Sequence, residues 1–299
     1  GYEKMIDTVS EMGFSCVEVA CWPAGKAERR YAGVSHIDVV RVCEDDTYAR
    51  HILDYAATHH VEISALAFYP NTMDGNLEKR AANITHLMHV IRASAKLGVN
   101  MVTTFIGRDQ TKSVEENLEL VKEVWPPIIA LAEQLNVRIA IENCPMLFGR
   151  DQWPGGQNLM TTPVNWHKVF DILPSKNLGI NYDPSHFVWQ MIDYIKPLYE
   201  FKDKIFHVHY KDIKLYPEKL ARVGVMQAMS LTHQWDDTLA QKVRDEEAKV
   251  DRYEDALGTY LVKLSSRELS HADSQSVNTL LHTISDFERI SDHSVNLLS

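Results

Sequence analysis

The chain has 299 residues, of which 45% are hydrophobic and 24% charged, a composition typical of globular proteins with one large or two ordinary domains. Its formal net charge of −10 at pH 7 excludes the basic surface that nucleic acids and anionic membranes bind. No apolar run is long enough to span a bilayer, and the four cysteines form no CxxC pair. These features predict a cytoplasmic protein.

Strand-like and helix-like segments alternate up to about residue 224, starting with a helical stretch at residues 2–13. Amphipathic helical stretches at 47–60 and 87–98 lie between apolar runs. The predicted strands are CVEVACW (16–22), VEISALAFY (61–69), NMVTTFI (100–106), VRIAIE (137–142), LGINYD (178–183) and KIFHVHY (204–210). Such alternation predicts parallel strands joined by crossover helices.

The predicted fold is α/β, an incomplete (β/α) barrel of the TIM type with about six parallel strands. A closed barrel of this type has eight strands in about 250 residues. Because the sequence opens on a helix and only six strands are predicted, the first and last barrel strands have no counterpart. Unpaired strand edges associate readily, so self-association through the open barrel edges is expected.

The character of the sequence changes after Gly224. From Val225 onward there is no proline, and Gly258 is the only glycine. Apolar residues recur at three- to four-residue steps, or multiples of them, along two long stretches, which is the helical period. The sequence therefore predicts a barrel domain at 1–225 and an all-α helical hairpin or partial bundle at 226–299.

Three of the predicted strands end in residues that bind divalent metal ions. Glu142 ends the fourth strand, Asp183 ends the fifth, and His209 lies near the end of the sixth. Polar groups at the carboxyl ends of parallel barrel strands face the active site. Two carboxylates and one imidazole predict a site for Mn²⁺, Mg²⁺ or Co²⁺, with Zn²⁺ also compatible. The structural alternatives are a helix cap for Glu142, a turn for Asp183 and a core position for His209.

Further polar groups follow the fifth and sixth strands. His207 and His209 point to the same side, because side chains alternate along a strand. His209 is the predicted ligand of the two, since it lies nearer the carboxyl end of the strand. His186 is predicted to bind a substrate hydroxyl or a second ion, and Lys211 to hold a substrate oxygen or pair with Asp212.

The segments CVEVACWP, ALAFYPN, TTFIGRD, IAIENCPM, WPGGQNL, NYDPSHFVWQ and FHVHYKD occur in this order. Together they resemble the sugar phosphate isomerase/epimerase family with the xylose-isomerase-like barrel, over about residues 1–225. The resemblance implies Glu142, Asp183 and His209 as metal ligands, Glu142 and His186 as catalytic residues, and Trp22, Phe68, His186 and Lys211 as substrate contacts.

The resemblance implies a metal-dependent isomerase or epimerase of a small sugar, sugar phosphate or polyol, acting through an enediolate held on the metal. The ion would polarise the carbonyl while a carboxylate acts as acid or base. An inosose-type dehydratase uses a similar cavity and stays an open alternative. Family members have a fourth ligand, a glutamate ending the eighth strand, and the absence of that strand from the predicted elements implies impaired turnover.

The C-terminal segment carries a second resemblance. KVRDEEAKVDRYEDALGTYLVKLSSRELS, followed by LLHTISDFERISDHSVNLL, is similar to the PhoU-like helical domain of sodium/phosphate cotransporter-related proteins. Two E-x-x-x-D patterns, Glu247 with Asp251 and Glu288 with Asp292, place carboxylates on one helix face. They imply a second metal site, with a solvated acidic face as the alternative. The competing function is therefore a non-catalytic phosphate-regulatory or metal-binding fusion.

Overall fold

The computed structural model describes residues 1–24, 35–146, 156–190, 192–211, 213–214, 237–265, 273–277, 280–281 and 284. The chain divides into two compact units, Gly1–Ile213 and Lys214–Ser299. The domain boundary predicted near residue 225 lies outside the described residues.

The first unit is built on one sheet of six parallel strands in chain order. The strands are β1 (Cys16–Ala20), β2 (Glu62–Ala67), β3 (Met101–Thr104), β4 (Arg138–Glu142), β5 (Leu178–Tyr182) and β6 (Ile205–Val208). All six predicted strands are present, each shorter at its ends than the apolar run that predicted it. The predicted α/β fold, an incomplete TIM-type barrel, is confirmed. Self-association through the edges of the sheet stays a prediction.

Nine helices of the described residues belong to the first unit. They are α1 (Tyr2–Glu11), α2 (Val39–Glu44), α3 (Asp46–Thr58), α4 (Leu77–Lys96), α5 (Val114–Val124), α6 (Pro126–Gln134), α7 (Pro163–Ile172), α8 (Pro184–Trp189) and α9 (Lys196–Glu200). Several of these helices begin at a residue whose side chain caps the first turn. Ser113 and Glu116 form a reciprocal capping box at α5, and Asp183 caps α8, whose first residue is a proline.

The core lies along the middle strands. Every residue of β3 and of β5 is buried. Trp125 and Trp166 are completely buried, and their indole N–H groups donate to the carbonyls of Ile106 and Met160 at 2.9 and 2.8 Å. A buried indole needs such a partner. Because these strands are packed on all sides, the side chains at their carboxyl ends are held on a rigid frame.

Gly179 sets the close approach of β5 and β6. A Cβ added there would overlap the carbonyl of Lys204 and the ring of Phe206. The register also shifts between Ile180 and Asn181, so that Asn181 pairs with His207. The close approach and the shifted register together set His207 of β6 against Asn181 of β5.

In the second unit, every described residue after Lys214 is helical. The long helix α10 spans Asp237–Ser265, and residues 273–277 form a further helical stretch. This agrees with the predicted all-α character of the segment. Among the helices described, none combines the length and the apolar character needed to cross a membrane.

Candidate metal centre

The carboxyl ends of β4, β5 and β6 bring the predicted ligands together. Glu142 is the last residue of β4, Asp183 follows β5, and His209 follows β6. Glu142 is buried and Asp183 is 0% exposed. Carboxylates are almost never buried unless paired, so the environment of these two decides what the site can bind.

Two cationic side chains contact both carboxylates. Lys211 Nζ lies 3.1 Å from Glu142 Oε1 and 2.5 Å from Asp183 Oδ2. His186 Nε2 lies 3.5 Å from Glu142 Oε1 and 3.3 Å from Asp183 Oδ2. His209 reaches the same cluster, because its Nδ1 lies 3.3 Å from Glu142 Oε1. Glu142 and Asp183 therefore share one cluster with His186 and Lys211, and His209 joins this cluster through Glu142.

Asp183 is fixed so that one carboxylate oxygen faces this cluster. Its Oδ1 accepts hydrogen bonds from the backbone N–H and the hydroxyl of Ser185 at 3.0 and 2.6 Å. Asn143 holds the backbone of Asp183 through both its N–H and its carbonyl. The other oxygen, Oδ2, receives no well-aligned hydrogen bond from the described residues and has only the ion-pair contacts given above. A buried anionic oxygen in that state suits a cation.

The electrostatics keep the cluster charged. Burial by itself would raise the pKa of Glu142, but hydrogen bonds from two histidines and a nearby lysine charge hold this pKa well below its usual range. Burial would lower the pKa of His209, yet its contacts with Glu142 and Glu18 raise it to about 10. For His186, contacts with Cys144 and Glu142 overcome burial and raise the pKa to about 9. A metal ion binding here would displace imidazole protons.

The donor set fits a divalent cation. One ligand atom each from Glu142, Asp183 and His186 lies within 4.8 Å of the other two. Two carboxylate oxygens with one or two imidazole nitrogens match the preferences of Mn²⁺, Co²⁺ and Zn²⁺, and the carboxylates also suit Mg²⁺.

Sequence reasoning missed Glu18, in the middle of β1. Its Oε2 lies 3.0 Å from His209 Nε2, and the hydroxyl of Tyr69 donates to its Oε1 at 2.9 Å. The signal that could have found it is a carboxylate inside the apolar run CVEVACW. Such a residue is rarely buried without a partner.

His207 lies deeper in the sheet and has different partners. Its Nδ1 lies 3.1 Å from Asn181 Oδ1, and its Nε2 lies 3.3 Å from Ser64 Oγ. Burial lowers the pKa of His207 and so favours the neutral form of this ring. The side-chain amide of Asn181 donates to the hydroxyl of Tyr69 at 3.3 Å, which connects His207 to the partners of Glu18.

The two predicted aromatic walls are in contact with each other. The rings of Trp22 and Phe68 have centroids 5.8 Å apart. Phe68 is completely buried and also packs against His86, whereas Trp22 is partly exposed. Trp22 is thus the more accessible of the two, and a substrate contact stays a prediction for both.

The second predicted metal site is only partly described. Glu247 and Asp251 lie one turn apart on α10, and both are partly buried. Glu288 and Asp292 lie outside the described residues. The four-carboxylate site stays a prediction.

Comparison with known proteins defines the class. The family model described as the xylose isomerase-like TIM barrel matches residues 6–254, and the model of the PhoU domain matches residues 219–299. The chain belongs to the xylose isomerase-like TIM barrel family. Comparison with curated protein sequences gives no match.

Several solved structures share this fold. The probable 3-DHS dehydratase AsbF of Bacillus anthracis is 18% identical, with a TM-score of 0.53 over 76% of this chain and 73% of that one. The 3-keto-D-glucoside 4-epimerase YcjR of E. coli is 14% identical, with a TM-score of 0.53 over 71% and 74%. The IOLI protein, solved with a bound zinc atom, is 19% identical, with a TM-score of 0.52 over 71% and 69%. At these identities the likeness establishes the fold.

Proposed function

We propose that this chain binds a divalent metal ion through Glu142, Asp183 and His209 and uses it to isomerise or epimerise a small sugar, sugar phosphate or polyol. The observation that carries the proposal is the pair of buried carboxylates that share cationic contacts at the carboxyl ends of adjacent strands. Mn²⁺, Mg²⁺ and Co²⁺ are the favoured ions. Zn²⁺ is compatible, and a fold relative is solved with zinc.

When bound, the ion polarises the carbonyl of the sugar and so weakens the adjacent C–H bond. We expect His186 to exchange a proton with a substrate oxygen. The support is that its Nε2 lies within 3.5 Å of both carboxylates and that its side chain is 13% exposed. General acid–base groups of this kind contribute about 10²–10⁴-fold. Glu142 contacts both His186 and His209, so it also fixes the two rings relative to each other.

Lys211 is the adaptable member of the cluster. Its side chain is 52% exposed, and a lysine stem is long and flexible. With Glu142 and Asp183 holding an ion, the ammonium group of Lys211 would be free to hold a substrate oxygen or phosphate. Trp22, partly exposed near the strand ends, supplies an apolar surface for the sugar.

The test begins with metal binding to the full chain. Titration calorimetry with Mn²⁺ compares the wild type with Glu142→Gln, Asp183→Asn and the control Glu62→Gln, which changes an exposed carboxylate at the start of β2. Both ligand variants should lose at least the 10- to 100-fold in affinity typical of outer-shell changes, and the control should lose nothing. Equal affinity in all four proteins contradicts the proposed site.

Catalysis is measured separately, by NMR detection of deuterium exchange from D₂O into a ketose, starting with D-fructose and with diamagnetic Mg²⁺ as the ion. An isomerase or epimerase incorporates deuterium next to the carbonyl and forms the isomeric sugar, whereas an inosose-type dehydratase forms an unsaturated product with loss of water. Glu142→Gln should abolish either signal. Ion binding that is lost in Glu247→Gln or Asp251→Asn, but kept in Glu142→Gln, would instead support the non-catalytic PhoU-like alternative.

A further inference from the structure

His209 lies between two carboxylates from different strands, Glu18 on β1 and Glu142 on β4. Its Nδ1 lies 3.3 Å from Glu142 Oε1, and its Nε2 lies 3.0 Å from Glu18 Oε2. The two nitrogens of an imidazole point away from each other across the ring. Glu18 therefore lies on the other side of the ring from Glu142, away from an ion held at Nδ1.

Glu18 is itself held in place by a side-chain network. The Tyr69 hydroxyl donates to Glu18 Oε1 at 2.9 Å, which leaves Oε2 for His209. Tyr69 in turn accepts a hydrogen bond from the side-chain amide of Asn181. The carboxylate thus has one oxygen committed to the tyrosine and one to the histidine, and its orientation is fixed from both ends.

A second ion shared by Glu18, His207 and His209 is the competing interpretation, because their ligand atoms lie within 4.8 Å of one another. The contacts of His207 argue against it. Its Nδ1 lies 3.1 Å from Asn181 Oδ1, close enough to donate, while it is 3.7 Å from Glu18 Oε2. Its Nε2 meets the hydroxyl of Ser64. Each member of this group has a hydrogen-bond partner without an ion.

We propose that Glu18 is a positioning residue whose carboxylate accepts the Nε2–H of His209 and so presents Nδ1 of that ring to the divalent ion. This inference rests on the proposed function, since it takes His209 as a ligand of the ion at Glu142 and Asp183. Metal-binding histidines almost always donate their other N–H to a carboxylate, carbonyl or water. Such a partner fixes the tautomer and the orientation of the ring and makes the ligand more basic.

The experiment measures Zn²⁺ affinity of the full chain by competition with a chromophoric chelator. Glu18→Gln keeps an acceptor oxygen but removes the charge, and Glu18→Leu removes both. The expected losses are about 10-fold for the first and up to about 100-fold for the second, the range found for outer-shell partners. The control Glu62→Gln should leave the affinity unchanged, and circular dichroism of the metal-free proteins checks that each variant is folded.

Two further measurements distinguish the proposed positioning role of Glu18 from a purely structural one. In a His209→Ala background, Glu18→Gln should have no additional effect on Zn²⁺ affinity, because the residue acts through that ring. In ¹⁵N-histidine spectra of the Zn²⁺-loaded wild type, His209 should show one tautomer with Nε2 protonated, and Glu18→Leu should lose that signature.

The outcomes separate the two proposals. If the wild type binds no Zn²⁺, or if Glu142→Gln binds it equally well, the proposed metal site itself is wrong. If that site stands but both Glu18 variants keep full affinity, or if the Glu18→Gln effect persists without His209, the positioning role is overturned. Two Zn²⁺ ions per chain, one of them lost in His207→Ala, would also overturn it in favour of a second ion site.

Discussion

Glu18 on β1 and His209 beyond β6 lie 3.0 Å apart, although their strands form the two edges of the six-stranded sheet. Neighbouring strands are about 4.8 Å apart, so in a flat sheet the edges would be separated by about 24 Å. The contact therefore exists because the sheet curls into an incomplete barrel. It links the first and last strands through side chains, where no backbone hydrogen bonds join them.

This contact should contribute measurably to stability in the metal-free chain. A double-mutant cycle with Glu18→Gln and His209→Gln in urea unfolding should give a coupling free energy of about 0.5–3 kcal/mol, as for contacting pairs in one network. The two side chains are only 17% and 22% exposed, so solvent screens them weakly. The ion pair of Glu3 with His51 is a matched control, because its side chains are 57% and 48% exposed and such pairs contribute about 0–1 kcal/mol. Equal coupling in the two cycles contradicts the prediction.

His209 and His207 should differ sharply in metal binding. Nδ1 of His209 faces Glu142, whereas both ring nitrogens of His207 have contacts with Asn181 and Ser64. His209→Ala should therefore lose much more Mn²⁺ affinity than His207→Ala in titration calorimetry. Equal losses of Mn²⁺ affinity in the two alanine variants would contradict the assignment of His209, rather than His207, as the metal ligand.

Removal of the Lys211 ammonium should strengthen ion binding. Lys211 Nζ contacts the same oxygens of Glu142 and Asp183 that the ion would use, so the two cations compete. A hydrogen bond to a charged group is worth about 1.5–3 kcal/mol, and Lys211→Met should raise Mn²⁺ affinity by about 10- to 100-fold. Lys202→Met, at an exposed position before β6, is the control. A loss of affinity in Lys211→Met would mean that Lys211 supports the bound ion.

Asp109 should make the first unit sensitive to acid. Burial by itself would raise its pKa, but hydrogen bonds from Thr111 and the charges of Lys112 and Arg80 hold the pKa below its ordinary value. A carboxyl with a lowered pKa in the folded state stabilises the fold above its unfolded pKa, and this contribution is lost as the pH falls through the folded pKa. The relevant window is therefore acidic.

Asp109→Asn should lower the free energy of unfolding at neutral pH by roughly 1.5–3 kcal/mol, the range for hydrogen bonds to charged groups. Its stability should then fall less than that of the wild type between about pH 6 and pH 2. Urea unfolding, followed by tryptophan fluorescence across this range, makes the measurement. If the free energy of unfolding changes with pH in the same way for both proteins, Asp109 is not the source of the acid sensitivity. The exposed Asp54, substituted by asparagine, provides the control.

The sequence by itself determined the six parallel strands and three of the residues at their ends. The spacing of apolar residues within a strand or a helix depends only on the local geometry of that element, so it can be recognised in the sequence. Parallel strands in turn place successive carboxyl ends at one edge of the sheet. Glu142, Asp183 and His209 could therefore be assigned to one site before any distance was known. The ends of the strands were predicted too long, because flanking apolar residues such as Trp22 and Phe68 pack in loops beyond the sheet.

Only the tertiary structure decided which groups surround those three residues. Glu18 and His209 are 191 positions apart in the chain, and no local pattern encodes a contact that depends on how strongly six strands curl. The separate roles of the two histidines also depend on the shifted register between β5 and β6, which pairs His207 with Asn181. Side-chain alternation places both histidines on one side of the strand, but the packing of neighbouring strands determines that one meets Ser64 and the other lies between two carboxylates.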